Sequence, residues 1–452
     1  MTETSERGER ADQHPFVRRP HRTILSLSLP ILLSLVAEPL TGLVDTAFVA
    51  RLGSAPLAAL GISATLLSGV FWVFNFLGIG TQTEVARALG ARDRLRAGRI
   101  SALALVLALA LGTALCALAW PFAEVASRAM EARGEVLEDA THYLRIRLLG
   151  GPAVLATLAC FGALRGLQDM RTPLFVALVA NALNIALDAL LIFGAGPIPA
   201  LGISGAALAS TLSLWVGAAL AIAALRARLP LPAQLDLRAA GRLLVVGRDL
   251  VLRSGTLLLF LALSTRSANL LGGDAGAAHQ AIRQVWMFSA FLLDAYASTA
   301  QSLVGYFLAA SRIGLARSVA AKSCGWGLGT GALLCGAMLA GGGGIEALLV
   351  PPSAQHFFPV AWSIAALSQP LNGLSFVTDG ILWGAGDYRY LRNAMFAATA
   401  LGTALLVWLE ASGQVSLPAV WAALALWIAM RAALGAARVW PGIGRSPLRV
   451  AA

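Results

Sequence analysis

Charge is what this chain has least of. Only 13% of its 452 residues are Asp, Glu, Lys or Arg, about half the share of a soluble globular domain. Lysine is almost missing: Lys322 stands alone, so arginine carries the formal net charge of +11. Cysteine is scarce too. Cys116, Cys160, Cys324 and Cys335 sit singly in apolar runs, without the paired spacing of a metal or redox centre, and packing is their expected role. No phosphate loop is present: Gly341–Gly344 reads as a flexible loop after an apolar run, with no strand before it and no Lys-Ser/Thr after it. No nucleophile–base or metal-ligand cluster appears either. These absences speak against an ATP-driven machine and against an enzyme, and no cofactor or resident metal is expected.

Hydrocarbon fills the chain instead. The sequence is 58% hydrophobic, with a mean hydropathy of +0.75. Apolar runs of about twenty residues recur, each long enough to cross about 30 Å of hydrocarbon. The pattern predicts an all-α polytopic membrane protein with twelve transmembrane helices, over 24–50, 57–85, 98–122, 138–165, 172–196, 203–227, 243–271, 276–309, 316–342, 356–384, 391–411 and 415–437. Arginines gather in short connections: Arg87, Arg92, Arg94, Arg96 and Arg99; Arg226, Arg228, Arg238, Arg242 and Arg248; Arg445 and Arg449. Alternate loops carry Glu131, Glu135, Glu138, Asp139 and Glu346. That alternation orients a protein in a bilayer, so the basic balance points to a membrane and not to nucleic acid. Both termini are expected in the cytoplasm, with the chain in the cytoplasmic (inner) membrane. Residues 1–22 are polar and Arg-rich, without the apolar core and cleavage site of a signal peptide, and read as a disordered tail.

The chain also repeats itself. Gly162-Ala163-Leu164-Arg165-Gly166-Leu167-Gln168-Asp169-Met170-Arg171 returns 218 positions on as Gly380-Ile381-Leu382-Trp383-Gly384-Ala385-Gly386-Asp387-Tyr388-Arg389, and Pro152 returns as Pro370. Near the start of each half, Gly53 and Ile62 pair with Gly273 and Ile282, and Gln82 with Gln301. Six spans per half give both halves the same topology, as in parallel repeats about an axis along the membrane normal. The expected organisation is two pseudo-symmetric six-helix lobes, 23–227 and 243–437, around a central cavity, with a cytoplasmic linker at 228–242 and a tail at 438–452.

Ionisable groups inside such spans are expensive, and their default reading is functional. Asp45 lies in the first span and Asp188 in the fifth. Asn181, Asn184 and Asp188 follow at i, i+3 and i+7, one stripe on one helix face. Desolvation disfavours the charged form of a carboxylate, whereas a donor or cation opposes that; a site balanced between the two can load and unload protons. Asp45 lies fifteen residues after Pro30, roughly 22 Å along a helix. Pro30 removes a backbone hydrogen bond and permits a kink, which offers a route from protonation to bending of the first helix. Glu38, one heptad before Asp45, either lines a cavity or partners an arginine. The second half does not repeat the stripe: its positions are Thr399, Gly402 and Leu406. Its buried charges include Arg266, Asp294 and Asp379; the two acids either line a cargo pathway or neutralise Arg266. His279 and His356, near span ends, read as surface or packing residues.

Pro-x14-Asp in the first span (Leu29-Pro30 through Asp45-Thr46-Ala47), Asn184-x3-Asp188 in the fifth, and the repeated Gly-x3-Gly-x2-Asp-x-Arg loop together resemble the multidrug and toxic compound extrusion (MATE) family, particularly its DinF-like branch. Pro370 and Asp379-Gly380 look like the tenth span of that branch. The resemblance covers about 22 to 437. It implies cation-driven export of small organic compounds by alternating access, with Asp45, Asn184 and Asp188 as the first-lobe proton or cation site and a hydroxyl of the sixth span, Ser210 or Thr211, nearby. The chain departs from the sodium-coupled NorM-type pattern: its seventh span has no glutamate, and the tenth offers Asn372 where an acid is expected. A second-lobe sodium site is therefore not expected, and Glu38, Asp294, Asn372 and Asp379 are left as substrate-cavity candidates. The coupling ion is expected to be H+, with Na+ at Asp45, Asn184 and Asp188 the alternative. The expected partners are cargo and membrane lipid around a monomer. A lipid-linked flippase of the same superfamily would show extra spans and a strongly cationic cavity, and neither is seen. A major-facilitator carrier shares only a superficial likeness at Gly90–Arg94. An inert scaffold would keep its acids for packing alone.

Overall fold

Inside a bilayer no water pairs the main chain, so each N–H and C=O must be satisfied within its own segment. The computed structural model, which describes residues 12–232 and 237–449, meets that requirement with helices. After a four-residue helix at Pro15–Arg18 come α1 (Pro20–Ala50), α2 (Ser54–Gly90), α3 (Arg94–Ala129), α4 (Gly134–Leu148 and Gly151–Gly166), α5 (Arg171–Phe193), α6 (Gly202–Arg228), α7 (Leu237–Asn269), α8 (Gly273–Ala309), α9 (Ile313–Leu349), α10 (Phe358–Leu367 and Gln369–Gly384), α11 (Tyr388–Ala411) and α12 (Leu417–Val439). Among the described residues this gives the twelve segments expected. Eight are long and apolar enough to cross a membrane singly, and nine if the bent pair of α4 counts as one. The others, α7, α8 and α10, carry buried polar and charged groups, and α10 is split in two.

Two helices break where proline dictates. Pro152 sits in the first turn of the second piece of α4, and Pro370 in that of α10, where the missing N–H costs nothing. The two pieces of α4 meet at 47°. Pro30 and Pro39 instead lie inside α1, and Pro30 is buried. It therefore lies in the helix interior, where it leaves the Ser26 carbonyl without its usual i+4 donor.

The chain forms two compact units, Leu29–Gly247 and a second made of the N-terminal residues through Ser28 together with Arg248–Ala452. This differs from the expected division in three ways. The described part of the supposed disordered tail is helical and groups with the second unit, where the Phe16 ring lies 5.7 Å from that of Phe307. The expected linker contains the start of α7, whose Leu243 and Val246 side chains face Gly80 of the first unit. Residues after α12 are folded back: Arg317 donates to the carbonyls of Leu448 (3.1 Å) and Trp440 (3.3 Å), and Leu448 is buried. Nor is Gly341–Gly344 a loop; it lies within α9.

Within each unit the same close approaches recur, and they explain the repeated glycines. A Cβ on Gly162 of α4 would overlap the Gly78 carbonyl of α2, and one on Gly380 of α10 would overlap the Ala297 carbonyl of α8. Gly112 of α3 sits against Pro152 as Gly331 of α9 sits against Pro370, with 2.5 Å and 2.7 Å to the proline Cα from an added Cβ. Only glycine lets two backbones pack so closely. The repeated aspartates have a role too. Asp169 accepts from Arg228 at the end of α6 (2.5 Å), and Asp387 accepts from Arg438 at the end of α12 (2.7 Å). Each ties the loop after the fourth helix of a lobe to the end of its sixth.

Candidate functional site: a buried carboxyl pair in the first lobe

Helix α5 presents the stripe as expected, and α6 packs close behind it because Gly205 has no Cβ to meet the Leu191 carbonyl. Asp188 is fully buried and Asn184 is 5% exposed. Asp45 of α1, half-buried, brings its carboxyl within hydrogen-bonding reach of Asp188. Neither oxygen of Asp188, nor Oδ1 of Asp45, receives a protein donor. Two ionised carboxylates are acceptors only, so this contact is attractive when the pair holds a shared proton.

Three neighbours complete the group. The Asn184 amide donates to Ser210 Oγ (3.4 Å). Tyr143 of α4 has its hydroxyl within reach of Ser210, and Arg147, one turn on, acts electrostatically on both aspartates. Nε and Nη1 of Arg147 are buried and have no hydrogen-bond partner. Of the two hydroxyls considered on α6, Ser210 joins this group, whereas Thr211 donates to the Ala207 carbonyl (2.8 Å). Asn181 is half-buried one turn earlier. The side chain of Glu38 lies outside the described residues. Tyr143 and Arg147 did not figure in the sequence reading. The signal was there: an arginine inside the 138–165 span, four residues after a tyrosine, places both on one face.

The second lobe is built otherwise. Where the stripe would fall, Trp427 donates to Thr399 (3.2 Å), Phe260 stacks on Trp427 at 5.1 Å, and Gly402 makes room for the Phe260 ring. Aromatic packing occupies the equivalent position. Asp379 does not pair with Arg266: it accepts from Arg253 of α7 and from Arg431 of α12 (2.7 Å), all three buried. Arg266 pairs with Glu410 instead (3.1 Å). Asp294 is half-buried on α8. Asn372 is buried and donates to Gln369 Oε1 (3.4 Å), which also accepts from Ser289 (3.2 Å).

Twelve helices in two lobes of matching internal packing, one lobe holding a buried acid pair, define a multi-pass integral membrane protein of the transporter class. Comparison with known proteins makes that particular. The family model MatE matches residues 30–190, α1 through most of α5 and both carboxylates. The chain is 32% identical to Protein DETOXIFICATION 44, chloroplastic, of Arabidopsis thaliana, over 92% of this chain and 81% of that one. It is 30% identical to DNA damage-inducible protein F of Escherichia coli (strain K12), over 94% and 93%. A solved outward-facing multidrug resistance MATE family transporter superposes with a TM-score of 0.86 at 21% identity, covering 96% of this chain and 97% of that one. The chain belongs to the MATE family of membrane transporters, and its likeness to DNA damage-inducible protein F runs along the DinF-like branch.

Proposed function

We propose that the protein is a proton-coupled antiporter that exports organic, amphipathic compounds across the cytoplasmic membrane, with both termini in the cytoplasm, no cofactor, and the monomer as working unit. The observation that carries this reading is the Asp45–Asp188 contact beside Arg147. Counting charge, two carboxylates and one guanidinium carry −1, and one added monovalent cation makes the group neutral. A charge imbalance in a low-dielectric interior is costly, so the site favours one cation per cycle. Contact between the carboxyls favours the proton, which bridges two acceptors that otherwise repel. Export as the direction of transport rests on the described role of the outward-facing structural relative as a multidrug resistance transporter.

Coupling follows from where Asp45 stands. It shares α1 with Pro30, and the assignment of α1 to the two units changes between Ser28 and Leu29, next to that proline. Loading the proton draws Asp45 to Asp188 and holds the second part of α1 against α5; losing it lets the carboxylates repel and α1 bend at the weakened turn. The site oxygens of Asp45, Asp188, Asn184 and Ser210 also suit a sodium ion, so the test must separate the ions. In proteoliposomes, an imposed pH gradient alone should drive cargo flux. Flux driven by a sodium gradient at equal pH, with none from the pH gradient, would overturn the proton assignment.

A further inference from the structure

The Arg253–Asp379–Arg431 cluster of the second lobe has a charge problem opposite to that of the carboxyl pair. Two guanidiniums flank one carboxylate and share a single acceptor: Oδ2 of Asp379 accepts from Nη2 of each. Three aromatic faces receive what remains. Arg431 lies 4.5 Å over Trp427 and 5.7 Å over Phe376, and Arg253 lies 5.1 Å over Trp383. These faces soften a positive charge without neutralising it. Among the described residues Nε of Arg253 and Nε of Arg431 are buried and unpartnered, and the acid that acts on Arg431 is the shared Asp379. A recess bounded by Tyr390, Leu391, Ala394, Met395 and Gly435 reaches Asp379 and Arg431. The Tyr390 hydroxyl donates to the Leu434 carbonyl (2.8 Å) and adds no negative charge to that wall.

We infer that this recess binds one small monovalent anion, of halide or carboxylate-group size, against the Arg431 guanidinium, completing a neutral group of two cations and two anions. The anion is either free in solution or a carboxylate carried by the exported compound; both present the same chemistry to the arginines. The site is independent of the carboxyl pair in the first lobe and stands whether that pair takes H+ or Na+.

The test is thermal unfolding of the full-length protein in detergent, followed by tryptophan fluorescence, with sodium chloride or sodium acetate replacing the sodium salt of a bulky sulfonate, 3-(N-morpholino)propanesulfonate, at constant ionic strength. A ligand held only by the folded state raises Tm by mass action, logarithmically once its concentration exceeds Kd. The wild type should gain about 2–4 °C at an anion concentration roughly a hundred times Kd. Arg253→Gln leaves a neutral Asp379–Arg431 pair and should lose the rise, as should Arg431→Gln. An unchanged wild-type Tm in both salts overturns the proposal, as does a rise of equal size in either variant. If one variant does not fold, the other decides. A rise in chloride as large as in acetate assigns the site to the free anion; a rise in acetate alone assigns it to the cargo carboxylate, and either result supports the site.

Discussion

At the scale of residues, the two lobes solve one problem with opposite signs. A charged group in a membrane interior costs a few kcal/mol even on the mildest scale, so each must have a compensating partner. In the first lobe Asp188 is shielded from water and has no protein donor, and the Asp45 carboxyl stands beside it; on the proposed reading the pair shares a proton. Replacing Asp188 by Asn keeps the shape and removes the ionisable group. Efflux driven by a pH gradient in proteoliposomes should then fall to the protein-free background, with Asp45→Asn doing the same; undiminished efflux in both variants would refute the coupling role. In the second lobe the carboxylate is the compensating group. Asp379→Asn strands two buried guanidiniums and should destabilise by about 3–5 kcal/mol, whereas Arg253→Gln leaves a matched pair and should cost much less. Thermal unfolding of the two variants side by side in the same sulfonate salt checks that order.

At the scale of helices, backbone proximity sets the pairing of α2 with α4 and of α8 with α10. Gly162→Ala and Gly380→Ala each push a methyl into a carbonyl of the facing helix, and strain of that kind costs typically 1–3 kcal/mol. Gly69 of α2 provides the control, since a Cβ there meets nothing within 4 Å. Gly69→Ala should be neutral or stabilising by about 0.5–1 kcal/mol through the better helix propensity of alanine. A loss of stability at position 69 as large as at 162 and 380 would mean that the close approaches are not what the repeat preserves. Pro30→Ala restores the hydrogen bond to the Ser26 carbonyl and stiffens α1. Folding should be preserved while pH-driven efflux slows at least several-fold, read as initial rates at equal protein density. An unaltered rate would exclude bending at Pro30 as the coupled step.

At the scale of the whole molecule, the repeated loop motif joins equivalent points in each unit: Asp169 to Arg228, Asp387 to Arg438. Both covalent crossings between the units run through helices, α1 and α7, each contributing its first turns to one unit and its remainder to the other. That explains where the sequence-based boundaries slipped. Hydropathy locates spans, but a helix shared between two units carries no change of hydropathy at the point where its packing partner changes. Length misled in the same way at Gly341–Gly344, since glycines that would open a water-exposed chain are held helical in a segment whose main chain has no other partner. The carboxyl pair was legible because buried acids stand out against an apolar run; Tyr143 and Arg147 left a fainter signal, because two polar residues one turn apart inside a span do not name the helix they face.

Amino-acid order alone determined the class of the molecule: its apolar length, the count of twelve spans, the two-fold repeat and the presence of an i, i+3, i+7 polar stripe in one lobe only. Each of these depends on local periodicity or on comparison of one segment with another, and neither requires knowing what faces what. Tertiary packing alone decided the partners. It placed Asp45 against Asp188, gave Asp379 to Arg253 and Arg431 rather than to Arg266, and gave Ser210 rather than Thr211 to Asn184. Those choices join residues from different helices, and the rotation and depth of each helix against its neighbour fix them.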